Sequence, residues 1–240
     1  TTVSGLLPLS SARAVQIPVI AKATAKASRW SGVKGCSSWL RIVLPEQPFR
    51  IALQRRADYK GGMRFASWLR RRLGIHFYYM FVRPLQARPR GAIAACGLEY
   101  RRMEAAQLLE ACVDAQLDLR EAAILRALGA GEVCVGALDR GRLVAYLWYS
   151  FGAAQHLDGV RVKVGPRLRY AYKVHVRPDC RGRGIARELL SRGAELCPSR
   201  GRELNLSFVA PDNVASLRAF GAAGWRRAGY AGYLKWRGRF

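Results

Sequence analysis

The sequence predicts one α/β domain over residues 98–240 behind a basic N-terminal extension, and three observations carry that expectation. Strand-like and helix-like runs alternate from Leu98 onward, which is the pattern of a sheet covered by helices. A glycine-containing basic loop separates a β-favouring run ending at Val176 from an amphipathic helical run starting near Ile185. The charge is uneven: residues 1–62 hold ten basic residues against Glu46 and Asp58, whereas residues 101–240 hold 24 basic and 13 acidic, nearer to an ordinary enzyme surface.

A chain of 240 residues with 50% hydrophobic and 10% aromatic content can bury a real core, which excludes a globally disordered protein. The formal net charge of +25 points to an acidic partner or an anionic surface. Two function classes follow from charge alone. One is nucleic-acid or ribosome association, although the basic residues form no long run and no nucleic-acid-binding motif is present. The other is peripheral membrane attachment through residues 63–83, where arginines accompany Trp68, Phe77, Tyr78 and Tyr79. Arginines interrupt every apolar run before it reaches membrane-spanning length. The six cysteines stand far apart with no C-x-x-C pair, so the reading is reduced thiols in a cytoplasmic protein without a metal.

Residues 1–62, poor in acids and rich in Ala, Ser, Lys and Arg, are read as a disordered extension, or as sequence ahead of a start at Met63; a transit peptide is the alternative. Residues 63–97 read as an amphipathic helix with Phe65, Trp68, Leu69 and Leu73 on one face, a strand from Ile75 to Val82, and a linker over 86–91. In the domain proper, a strand over 98–103 precedes helices over 104–113 and 119–128. Strands 132–138 and 143–151 flank Asp139-Arg140-Gly141 as a hairpin, and 152–167 is irregular. Strand 168–176, a helix from Ile185 to Cys197, strand 204–209, a helix over 213–223 and closing strands over 225–236 complete the chain.

The chemistry concentrates in Arg177-Pro178-Asp179-Cys180-Arg181-Gly182-Arg183-Gly184-Ile185-Ala186. Arg181, Gly184 and Ala186 satisfy the Arg/Gln-x-x-Gly-x-Gly/Ala signature of the Gcn5-related N-acetyltransferase (GNAT) superfamily, which this segment resembles. Asn213, Ser216, Phe220, Gly224 and Trp225 resemble that family's following Asn-x-x-Ala-x-x-x-Tyr-x-x-x-Gly-Phe segment, in the same order. The physical basis is plain: a helix N-terminus offers unpaired N–H groups and partial positive charge to a pyrophosphate, and glycines let it approach.

The resemblance implies a mixed, mostly antiparallel central sheet flanked by helices, with strand 168–176 splaying from strand 204–209. It implies acyl transfer from acetyl-CoA, or a related acyl-CoA, to an amine. Coenzyme A would then meet Val174, His175 and Val176, the loop residues Arg181, Gly182, Arg183, Gly184, Ile185 and Ala186, and Asn213, Ser216 and Phe220. Asn213 reads equally well as a helix N-cap. A base must take the amine proton, and His175 is the nearest titratable group; by strict alternation it faces with Ala171 and Lys173, away from Tyr172, Val174 and Val176. His156, Asp158 and Glu132 are the alternatives. Phe220 stands where the family often has a proton-donating tyrosine, which leaves Tyr230 or Tyr233 as substitutes. Cys180 reads as a substitution without function.

Overall fold

The computed structural model describes residues 38–42, 75–87, 97–157 and 160–234. The helix expected over 63–73 and most of the linker lie outside these residues. The described strands are β1 (Ser38–Ile42), β2 (Ile75–Pro84), β3 (Glu99–Arg102), β4 (Val133–Asp139), β5 (Arg142–Ser150), β6 (Ala153–Leu157), β7 (Val160–Val164), β8 (Leu168–Val176), β9 (Leu204–Val209) and β10 (Arg226–Leu234). The helices are α1 (Ala105–Ala111), α2 (Glu121–Gly129), α3 (Ile185–Leu196) and α4 (Val214–Ala222).

Seven strands form the central sheet in the order β10-β2-β9-β8-β5-β4-β3, and every neighbouring pair is antiparallel except β8 and β9. This is the mixed, mostly antiparallel α/β sheet the sequence implies. One boundary shifts. β2, which the sequence sets ahead of the domain at 98, lies inside the sheet between β10 and β9, so residues 98–240 supply six of the seven strands. Its even-numbered Met80 and Val82 join one core and Phe81 the other, so both faces of the strand are covered.

Two further differences concern the segments read as irregular. β6 and β7 pair antiparallel, and β1 adds to β7 in parallel, giving a second sheet β1-β7-β6. Ser38–Ile42 is therefore a strand within the stretch read as disordered. Val162 and Val164 alternate inward and pack with Met80, Leu168, Tyr170 and Leu206, while Arg161 and Lys163 face outward, the period of a half-buried strand.

β5 is the sheet's most enclosed strand, with Leu143 through Ser150 all buried. Ala145, Leu147 and Tyr149 face α3 and α4, while Tyr146 and Trp148 face α1 and α2. Its hairpin with β4 closes on Arg140 and Gly141, both with positive φ (50° and 82°), the two-residue turn whose twist matches antiparallel strands.

Two buried arginines tie α3 to the sheet. Arg83 on β2 donates through Nη1 to the carbonyls of Leu190 and Ser191, each at 3.2 Å. Arg169 on β8 donates through Nε to Asn205 Oδ1 at 2.8 Å, through Nη2 to Ala194 O at 2.9 Å, and through Nη1 to Cys197 O at 2.5 Å and Pro198 O at 3.1 Å. The guanidinium also lies 4.5 Å from the centroid of the Tyr149 ring. It thus places a cation on the carbonyl-rich end of α3, where the helix dipole is negative. Arg169→Leu leaves those carbonyls without a donor in a dry site, and the variant is expected to lose on the order of 3 kcal/mol, read as a lower urea midpoint at unchanged m-value.

Candidate active site

β8 and β9 pair only at Leu168↔Leu204, Arg169↔Asn205 and Tyr170↔Leu206. Beyond Tyr170 the two strands part, β8 staying with β5 and β9 with β2. A cleft of about 700 Å³ opens at this split. Its walls are Ala123, Ile124 and Ala127 of α2, Gln155 and Arg161 of the second sheet, Tyr172 and Val174 of β8, and Asn213, Ser216 and Phe220 of α4.

Glu132 is the one carboxylate among the described residues that line the cleft. It sits just ahead of β4, 7% exposed, and accepts a hydrogen bond from the Tyr172 hydroxyl. Burial raises its pKa above the usual carboxylate range; hydrogen bonds from Tyr172 and Ser150 and the charges of Arg126 and Arg161 oppose that rise without cancelling it. Among the described residues, Glu132 is therefore the candidate base placed in the cleft. Asp158 and the side chain of His156 lie outside the described residues.

His175 goes elsewhere. Tyr146 pairs with His175 and Trp148 with Tyr172, so two β8 residues, Lys173 and Val174, oppose Leu147 alone. Lys173 carries the extra position with φ of 51°. This bulge overturns the strict alternation expected from the sequence. Val174 and Val176 pack with Ala171 on the α3/α4 side, and His175 stacks on Tyr146 with centroids 5.5 Å apart. The His175 Nε2 lies 2.7 Å from Gln116 O, and Lys173 Nζ donates to Asp118 O at 2.7 Å. Both side chains hold down the turn between α1 and α2, and His175 does not line the cleft.

The loop after β8 is anchored at its base. Arg177 is buried and grips Asp179 with Nε and Nη2 (3.0 and 2.7 Å) while Nη1 reaches Asp114 Oδ2 at 2.5 Å. Arg181 Nε donates to Val176 O at 3.2 Å, and Arg183 stands 3.8 Å from Asp139. Gly182 and Gly184 both have left-handed φ (80° and 77°), and a Cβ built on either meets nothing within 4 Å. Open space thus faces the N-terminus of α3, which begins at Ile185 with Ala186 in its first turn. Such an end accepts an anion.

Around the second motif, Asn213 Oδ1 accepts from Ser216 N at 3.0 Å, so the N-cap role is present. Phe220 is buried against Phe81 and Trp225 while lining the cleft. The substitutes expected for its missing hydroxyl are misplaced. Tyr230 packs on Tyr79 and Arg227, Tyr233 stacks on His76, and neither lines the cleft.

Residues 99–225 match the Acetyltransferase (GNAT) family, more than half of the chain. The chain belongs to this family. No curated protein matches it. Among solved structures, the GNAT chain matches a putative acetyltransferase from Novosphingobium aromaticivorans at 15% identity, covering 65% of this chain and 63% of that one with a TM-score of 0.42. It matches a GCN5-related N-acetyltransferase from Sphaerobacter thermophilus at 17% identity, covering 64% and 49% with a TM-score of 0.47. It also matches a putative acetyltransferase from Salmonella typhimurium, solved with its cofactor acetyl-CoA, at 19% identity, covering 54% and 79% with a TM-score of 0.39. The chain spans about half to two thirds of the length of the first two. Among the described residues no helix is long and apolar enough to cross a membrane.

Sequence reasoning missed the wall that β6 and β7 supply, although Val160-Arg161-Val162-Lys163-Val164 alternates as a strand does, and it missed the bulge, since neither glycine nor proline marks Lys173. The signal for Glu132 was legible: an acid fused to the apolar run Val133–Leu138. One pH effect follows from the loop anchor. The hydrogen bonds from Arg177 hold the Asp179 carboxyl down at about 2, so its contribution to stability is complete above the ordinary aspartate pKa and disappears as pH falls through about 2. Asp179→Asn should accordingly lower the urea midpoint most above pH ~4, with the gap to the parent protein narrowing as pH drops toward ~2.

Proposed function

We propose that this protein transfers an acyl group, acetyl in the simplest case, from acyl-CoA to the amine of a small acceptor. The observation that carries the reading is the Arg181–Ala186 loop, whose two left-handed glycines leave open space before the N-terminus of α3. A pyrophosphate fits that space: backbone N–H groups point at it, Arg181 and Arg183 add charge, and no side chain intrudes. Val174 to Val176 would border the acyl-pantetheine arm in the β8/β9 split, with Asn213, Ser216 and Phe220 on its other side. The cleft volume suits a small molecule better than a folded partner.

In this reading the acceptor's ammonium reaches Glu132, which takes a proton and frees the nitrogen lone pair. The lone pair attacks the thioester carbonyl carbon and the C–N bond forms; the adduct gives its remaining excess N–H proton to water, and the C–S bond breaks as it collapses to amide and coenzyme A thiolate. Tyr172 and Ser150 hold the carboxylate in place, and burial raises its basicity toward what the task needs. Of residues 63–83, which motivate a membrane-surface reading, 75–83 belong to β2 inside the central sheet, and 63–74 lie outside the described residues, as do most of the basic residues of 1–62. No observation in the described fold favours nucleic acid or membrane over acyl transfer.

Gly184→Glu puts negative charge and bulk where the pyrophosphate would lie. Its acetyl-CoA affinity should fall at least ~100-fold, about 2.7 kcal/mol, by calorimetric titration, with circular dichroism unchanged. Equal affinity in the folded variant removes this loop from the site. Glu132→Gln should lower kcat by about 10²-fold while acetyl-CoA binds within about twofold of the parent. Since the base acts when ionised, the parent's rate should rise with pH through a midpoint above the ordinary glutamate range, and that rise should be absent in Glu132→Gln.

A further inference from the structure

The charges of the cleft are strongly biased. Its ionisable walls hold Glu132 against four cations, Arg120, Arg126, Arg161 and Lys173, whereas residues 101–240 as a whole carry fewer than two basic residues per acid. The bias is therefore local and exceeds what the chain's general basicity brings. Lys173 Nζ is turned to the 116–118 turn, where it donates to Asp118 O and lies 3.5 Å from Asp118 Oδ2. Arg126 and Arg161 differ from it in place. They come from two separate elements, α2 and β7, both residues are exposed and line the cleft, and both act electrostatically on the buried Glu132 carboxylate.

These cations are not in the position to serve the coenzyme's phosphates, because none of the loop residues Arg181–Ala186 lines this cleft. A bare alkylamine gains nothing from them: its ammonium is drawn to Glu132 and repelled by both guanidiniums. A molecule with an amine at one end and an anion at the other satisfies both halves of the cleft. We infer that the acceptor is a small amine that also bears an anionic oxygen group, carboxylate or phosphate, seated with its nitrogen on Glu132 and its anion between Arg126 and Arg161. The inference rests on the acyltransferase reading for the amine's fate, though the binding preference stands on the cleft alone. Guanidinium is the natural partner for either anion, since its planar fork donates two parallel hydrogen bonds.

The test uses matched pairs, ethanolamine against O-phosphoethanolamine and phenethylamine against phenylalanine, with the full chain and saturating acetyl-CoA. The anionic member of at least one pair should have kcat/KM about 10-fold higher or more, carried mainly by KM, and the pair that responds tells phosphate from carboxylate. Arg126→Ala and Arg161→Ala should each shrink that ratio, Arg161→Lys should keep more of it than Arg161→Ala, and raising salt to ~0.5 M should compress it. Because each ratio is taken within one protein preparation, partial loss of folded protein cancels. Calorimetry of the same four amines in the presence of coenzyme A reads the preference without turnover. Anionic preference in binding with no transfer keeps this inference and overturns the acyltransferase reading. Transfer with equal kcat/KM for both members of both pairs keeps that reading and overturns this inference, as does an anionic preference that survives loss of both arginines.

Discussion

The angle between β8 and β9 depends on one buried cation. Their pairing lasts three residues, and the middle pair, Arg169↔Asn205, is also joined through side chains. From there Arg169 reaches over to the last carbonyls of α3, so two strands and a helix meet at a single guanidinium. A buried charge without a carboxylate is tolerated because helix carbonyls supply the compensating partial charge, directed along several hydrogen bonds. With that end closed, the right-handed twist of each strand carries the free ends apart, and the cleft is the space between them. The site exists because the pairing stops, and Arg169 fixes where the pairing begins.

The bulge at Lys173 matters as much to the site as the split. Without it, Val174 would share a face with Tyr172, and the segment expected to meet the acyl-pantetheine arm would turn toward α2. One residue in a left-handed conformation moves Val174 and Val176 to the α3/α4 side and leaves Tyr172 facing Glu132. Successive β8 residues thereby take different tasks: Tyr172 bonds the Glu132 carboxylate, Val174 borders the split, and His175 with Lys173 fastens the turn at 116–118. The position that sequence offered as a catalytic histidine is occupied by a clamp.

What could be read in the sequence divides along physical lines. The phosphate-type loop and the α4 segment were legible because glycine and helix-capping requirements are local: Gly184 must take φ of 77° and Asn213 must cap, whatever surrounds them. Most strand positions were legible because apolar alternation is local as well. The sheet order was not, and β2 shows why: nothing within Ile75–Pro84 states that its partners lie more than a hundred residues away at β9 and β10. The charged end of the cleft was equally hidden, since Arg126, Glu132 and Arg161 come together there only after two sheets and a helix have packed. Non-local contacts between residues of ordinary type leave no signature in one sequence.

Phe220 raises the question of how the thiolate would leave on the proposed reading. Its ring is wedged between Phe81 and Trp225 and offers no proton. The tyrosines that do line the cleft, Tyr170 and Tyr172, are made weaker acids by burial, and the Tyr172 hydroxyl already donates its hydrogen bond to Glu132. No strong general acid therefore faces the split among the described residues. Acyl transfer tolerates this, because a thiol of pKa near ~8.5 departs readily as its anion, whereas an ammonium of pKa near ~10.4 cannot attack until a base has stripped it. On the proposed reading the barrier lies with deprotonation by Glu132 and the attack that follows, on the side of the cleft where the structure has its buried carboxylate, that group's hydrogen bonds and the nearby charges. A protein built this way spends its electrostatics on the nucleophile and leaves the leaving group to its own chemistry.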